Sequence, residues 1–87
     1  MTKRILVVIG DRAEEALRMA LGLTLADDVV EVCLTAPRGD EGEEHLELLR
    51  DIDVPVWTID QANSDLPLVE RDDMARRLAE FDHVIPY

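Results

Sequence analysis

Strand-like and helix-like patterns alternate along the chain, which predicts an α/β domain built on a parallel sheet. The chain opens with a continuous apolar run from Arg4 to Ile9, RILVVI, as expected of a strand buried on both faces. Further runs rich in β-branched residues follow at Val29–Thr35 (VVEVCLT), Val54–Ile59 (VPVWTI) and His83–Tyr87 (HVIPY). The segments between them are long enough for helices and carry apolar residues at helical spacing. Helix-length connections specify parallel strands joined by right-handed crossovers, hence a three-layer fold with helices on both faces of the sheet. Residues 1–87 read as one domain, with no repeat, linker or low-complexity segment.

Gly10-Asp11 ends the first strand. Asp11 is a good N-cap and Glu14, three residues on, completes a capping box, so a helix is expected to about Ala26. Ala13, Ala16, Leu17, Ala20, Leu21 and Leu23 form its apolar stripe, opposite Glu14, Glu15 and Arg18. Asp27-Asp28 reads as a turn before the second strand, and Ala36–Gly42, with Pro37, Gly39 and Gly42, as a loop. Glu43–Asp51 is a second helix directing Leu46, Leu49 and Ile52 inward. Pro55 lacks an amide donor and places the third strand at an edge or bulge. Asp60–Asp65 is polar loop, Leu66–Val69 a candidate short fourth strand, and Asp72–Phe81 a last helix with Met74, Leu78 and Phe81 on one stripe. His83–Tyr87 closes the sheet.

Aromatic residues make up only 3% of the chain, so the core must come from Leu, Val, Ile, Ala and Met. A core this small predicts that another subunit seals some of the apolar surface. The strand beginning at Val54 is the expected place: Trp57 and its neighbours Val54 and Val56 are the candidate interface residues. The net charge of −11 disfavours nucleic acid or an anionic membrane as partner, since both need a basic patch. The Asp-rich, Lys-poor composition is that of a salt-adapted or GC-rich host. No apolar run approaches the roughly 20 residues that span a bilayer. The opening MTKRILVVIG resembles a signal peptide, but its apolar run is too short and lacks a small-residue cleavage site, so a cytoplasmic protein is expected.

Cys33 is the only cysteine, which excludes an intramolecular disulfide and any CxxC site. Its place between Val32 and Leu34 reads as a small core hydrophobe; a persulfide carrier would need it exposed. His45 and His83 read as surface histidines, since neither belongs to a metal-ligand pattern such as HExxH. The pairs Glu43/Glu44 and Asp72/Asp73 suit first helical turns, and Asp27/Asp28 a turn; adjacent residues do not converge as a catalytic dyad. There is no GxGxxG, P-loop or GxSxG, so no cofactor and no metal is expected. Open parallel sheets bind ligands beyond the carboxyl ends of their strands. That rule selects Asp11, Asp60 and Gln61 as candidate ligand-binding residues.

The opening KRILVVIG, the helix AEEALRMALGLTLA, the strand VVEVCLT and above all the ending DDMARRLAEFDHVIPY resemble the DsrE/DsrF-like sulfur-relay family, most closely its DsrF (TusC-like) branch. The resemblance implies a three-layer parallel sheet, homo-oligomers or hetero-oligomers with related subunits, and sulfur transfer through a persulfide on a cysteine in the loop after the third strand. Here that region reads Val56-Trp57-Thr58-Ile59-Asp60-Gln61-Ala62-Asn63, without cysteine, and Cys33 lies in the preceding strand. The expected function is therefore a non-catalytic subunit or scaffold of a sulfur-relay complex. The alternatives are a sulfurtransferase carrying persulfide on Cys33 and a small-molecule-binding sensor that uses the strand-end polar groups.

Overall fold

The first strand, β1 (Arg4–Ile9), lies inside the sheet, as its unbroken apolar sequence requires. A computed structural model describes residues 2–25 and 28–87. Their elements run β1, α1 (Ala13–Leu23), β2 (Val29–Leu34), α2 (Glu43–Asp51), β3 (Val56–Thr58), α3 (Arg71–Leu78) and β4 (His83–Pro86). The strands form one four-stranded parallel sheet in the order β3-β2-β1-β4. The expected helix end at Ala26 and the turn residue Asp27 lie outside the described residues.

The register sorts the core. Val7 pairs with Val32, which pairs with Val56, and this rung belongs to one apolar cluster. Val8 pairs with Cys33, which pairs with Trp57, and this rung belongs to another. Neighbouring rungs point to opposite sides of a pleated sheet, so the alternation divides the core in two. Ala16, Leu17 and Ala20 of α1 and Leu46 and Leu49 of α2 pack in the first cluster. Met74 and Leu78 of α3 pack in the second, with Phe81 just beyond the helix.

Several element ends differ from the sequence expectation. The first helical hydrogen bond runs from the Ala16 amide to the Arg12 carbonyl, at 3.0 Å. The N-cap is therefore Arg12, without a side-chain cap, and Asp11 and Glu14 form no capping box. Buried Ala13 opens the helix, which fixes the start beyond Asp11. Ile52 is 52% exposed instead of directed inward. As the C-cap of α2, with φ −101° and ψ 17°, it leaves the helical register of Leu46 and Leu49. The third strand starts at Val56 instead of Val54, because the Val54 amide closes α2 by donating to the Leu49 carbonyl at 3.0 Å. β3 lies at a sheet edge, in keeping with Pro55.

Leu66–Val69 is not a strand. It makes one parallel bridge, Thr58 to Leu68, through the Thr58 amide to the Pro67 carbonyl and the Val69 amide to the Thr58 carbonyl. Pro67 supplies a carbonyl but no amide, so the pairing does not extend. The last helix ends at Leu78, before the expected Phe81, because the chain turns at Ala79-Glu80. The Asp82 amide already donates to the Arg4 carbonyl of β1, at 2.8 Å.

Two glycines make opposite predictions. Gly42 caps α2 with φ +70°, and a Cβ there would meet Leu17 Cδ1 at 2.7 Å and Glu14 Cα at 3.2 Å. Gly22 lies within α1, and a Cβ added there would have nothing within 4 Å. Gly42→Ala should lower unfolding stability by about 1–3 kcal/mol, whereas Gly22→Ala should raise it by about 0.5–1 kcal/mol, each measured by urea denaturation.

Candidate functional site

Because all strands run in parallel, the loops after β1, β2 and β3 emerge at one edge of the sheet. That edge is organised by buried polar side chains. Thr58, fully buried at the end of β3, donates its hydroxyl to the Leu34 carbonyl of β2 at 2.8 Å. The same oxygen accepts from the Asp60 amide and from Asn63 Nδ2, each at 3.0 Å. Asn63 Nδ2 also donates to the Ala36 carbonyl at 2.9 Å, and Asn63 Oδ1 accepts the Arg38 amide at 3.0 Å. Asn63 thus joins the loop after β2 to the loop after β3.

Arg38 completes the arrangement. Its side chain is 4% exposed and reaches Glu43 Oε2 at 2.6 Å and Asp65 Oδ2 at 3.1 Å. Both carboxylates are about half exposed, at 48% and 49%. Arg50 adds a bond from Nη2 to the Asp65 carbonyl at 2.9 Å. A buried guanidinium is stable only when paired, and the two carboxylates pair with Nη1 and Nη2, while Nε is buried without a partner. With its charge matched inside the fold, Arg38 acts as a clasp between loops and not as an anion receptor.

Of the sequence-selected residues, Asp60 and Gln61 are consecutive beside this clasp, whereas Asp11 stands apart from it. Asp60 is occupied in a turn, its Oδ1 accepting the Ala62 amide at 2.8 Å. Gln61 is exposed on a cleft of about 320 Å³ between Ile59, Leu68 and Val69 and the start of α3. Asp11 is exposed on another cleft, of about 390 Å³, beside Arg12, Glu14 and Glu15. β2 separates β1 from β3, so the ends of those strands are about 10 Å apart, two strand spacings. Asp11 and Gln61 therefore line different clefts. The reversal in strand order falls between β1 and β4, where Arg12, Pro86 and Tyr87 line a third cleft of about 360 Å³.

Cys33 is fully buried on the rung between Val8 and Trp57. Burial pushes its thiol from 9.0 up to about 12; the Arg77 charge pulls the other way and the Glu31 charge adds to the rise. Trp57 is 3% exposed beneath the second cluster, and its Nε1 donates to Glu31 Oε1 at 2.7 Å. The Arg77 guanidinium sits 5.1 Å from the centre of the indole and 4.0 Å from the same carboxylate oxygen. The chain itself thus covers the indole and satisfies its N–H. Val56 is 8% exposed and Val54 half-buried, both packed in the first cluster. Of the three expected interface residues, only Val54 retains appreciable surface.

His83 is exposed at the start of β4, and His45 is half-buried on α2 with no partner for Nδ1. Among the described residues, no group of three or more His, Cys, Asp and Glu is placed to hold a metal ion, and no helix is long and apolar enough to cross a membrane. No family model, curated protein or solved structure matches the chain.

Asn63→Ala should leave the Arg38 amide, the Ala36 carbonyl and the Thr58 hydroxyl short of a partner in a buried setting. The expected loss is about 2–4 kcal/mol, against less than about 0.5 kcal/mol for Gln61→Ala on the open cleft, both read from denaturant melts.

Proposed function

We propose that this chain is a non-catalytic subunit or scaffold of the DsrE/DsrF-like kind, acting in a sulfur-relay complex in which other subunits carry the sulfur. The observation that carries the reading is Cys33, fully buried with its thiol pushed up to about 12. Persulfide formation needs a thiolate that attacks the outer sulfur of a donor and expels the donor's own thiolate. A thiol ionising near 12 is thiolate in only about one molecule in 10⁵ at pH 7, and Val8 and Trp57 flank it on its rung. The loop after β3, where the family places its sulfur carrier, is instead built around Thr58 and Asn63.

The family assignment draws on the closing sequence DDMARRLAEFDHVIPY, which supplies most of α3 and all of β4. The three-layer arrangement, with helices on both faces, is supported by the division of helix side chains between two clusters. Association with like or related subunits is supported by the exposed Leu48, Leu68 and Val84, and the setting that goes with this role is cytoplasmic. A sensor reading finds less support, because Asp11 lies on a different cleft from Gln61.

A thiol reagent should leave Cys33 unmodified in the native protein over minutes and label one thiol once the chain is unfolded in guanidinium. Prompt labelling of the native protein would contradict the proposal. The pH dependence provides a second check. Between 9.0 and about 12 the unfolded thiol has lost its proton and the folded one has not, so the unfolded state binds fewer protons and stability falls as pH rises. The stability of wild type relative to Cys33→Ala should therefore be constant at neutral pH and decline above pH 9. A constant difference throughout would contradict a buried neutral thiol.

A further inference from the structure

At the edge opposite the candidate site, where β2 and β3 begin, a cleft of about 490 Å³ opens. Its apolar walls include Leu25, Val29, Ile52, Val54 and Pro55. Leu25 is 90% exposed, Val29 49% and Ile52 52%. Scattered surface apolar residues are ordinary, but several converging on one cleft mark an interaction surface.

The electrostatics of this cleft say what would cover it. Asp28 and Asp53 line it. Thr24, the C-cap of α1, and Ile52, the C-cap of α2, line it too, so both helices direct the negative ends of their dipoles there. α1 has no basic residue in its last turn, and Arg50, in the last turn of α2, is drawn to the Asp65 carbonyl. Lys3 meets the rim through its backbone, its amide donating to Asp28 Oδ1 at 3.1 Å. The cleft is thus apolar within and negative around. A second copy would bring another net charge of −11 to this rim, whereas a cationic partner matches it.

We infer that this cleft docks a basic, aliphatic-bearing segment of a partner protein. Leu, Ile or Val side chains of the segment sit against Leu25, Val29 and Ile52, and flanking Lys or Arg side chains meet Asp28, Asp53 and the helix ends. This gives a chemistry to the partner of the proposed subunit and rests on that reading for the existence of a partner.

The test uses the full chain and a short fluorescein-labelled amphipathic peptide of leucine and lysine, followed by fluorescence anisotropy in ~0.1 M salt. Two substitutions remove rim charge while keeping the local structure. Asp53 has φ 62°, a left-handed conformation that asparagine also accepts, and Asp28 Oδ1 is an acceptor that asparagine retains. Binding should be saturable. Leu25→Asn and Ile52→Asn should each weaken it by about tenfold, and the double variant Asp28→Asn/Asp53→Asn by about threefold. Asp72→Asn/Asp73→Asn, which removes the same charge from α3, should leave it unchanged. Equal binding by wild type and the cleft variants, or equal weakening by the α3 variant, would overturn the inference. So would a dimer of the chain alone, seen by sedimentation and dissolved by Leu25→Asn, because it would assign the cleft to a second copy. Neither result bears on native Cys33 reactivity, so this inference and the proposed function fail separately.

Discussion

The short edge strand β3 pairs in the sheet with β2 and on its other side makes only the single bridge from Thr58 to Leu68, and three residues so paired do not hold a strand firmly. What fixes it is the buried hydrogen-bond system at its carboxyl end. The Thr58 hydroxyl reaches the Leu34 carbonyl of β2, and Asn63 bridges Thr58 to the backbone at Ala36 and Arg38. The Arg38 guanidinium then ties Glu43, at the start of α2, to Asp65 in the loop after β3. Each member satisfies a group that would otherwise be buried unpaired, so loss of one strands several. The carboxyl edge is consequently closed by hydrogen bonds on the β2–β3 side, and the clefts of Asp11 and Gln61 lie to either side of that closure.

The two core clusters have different characters. The first is filled by aliphatic side chains from α1, α2 and three strands. The second contains the only tryptophan and the only cysteine and is covered by α3, which has no fully buried residue. An indole beneath a short helix needs a partner for its N–H, and Glu31 supplies one. Arg77 then balances Glu31 and lies over the ring. The arrangement that secures Trp57 also covers the sheet around Cys33, so the packing of the indole and the burial of the thiol share one cause.

Local patterns were legible where nothing competed with them. β1 at Arg4–Ile9 and α2 at Glu43–Asp51 follow directly from an unbroken apolar run and from a short amphipathic period. Ends set by contacts elsewhere were not legible. Asp11 looks like a cap until buried Ala13 sets the helix start, and Val54 looks like strand until its amide is taken by Leu49. The carboxyl edge as the place of the polar loops was legible, but the separation of Asp11 from Gln61 depends on strand order, a tertiary property. Trp57 on an edge strand carries the local signature of an interface anchor, and its cover by α3, the next helix along the chain, is a tertiary contact that the local pattern does not show. Arg38 and Asn63 gave no signal, since a loop arginine and a loop asparagine are ordinary until their neighbours across the sheet are known.

The proposed reading as a non-catalytic subunit turns on one thiol, held within the sheet, and on a post-β3 loop built on hydrogen bonds. The most direct measurement is intact-mass spectrometry of the native protein after exposure to a polysulfide donor. The account predicts an unchanged mass for wild type and Cys33→Ala alike. A gain of one sulfur atom by native wild type, absent from Cys33→Ala, would contradict it.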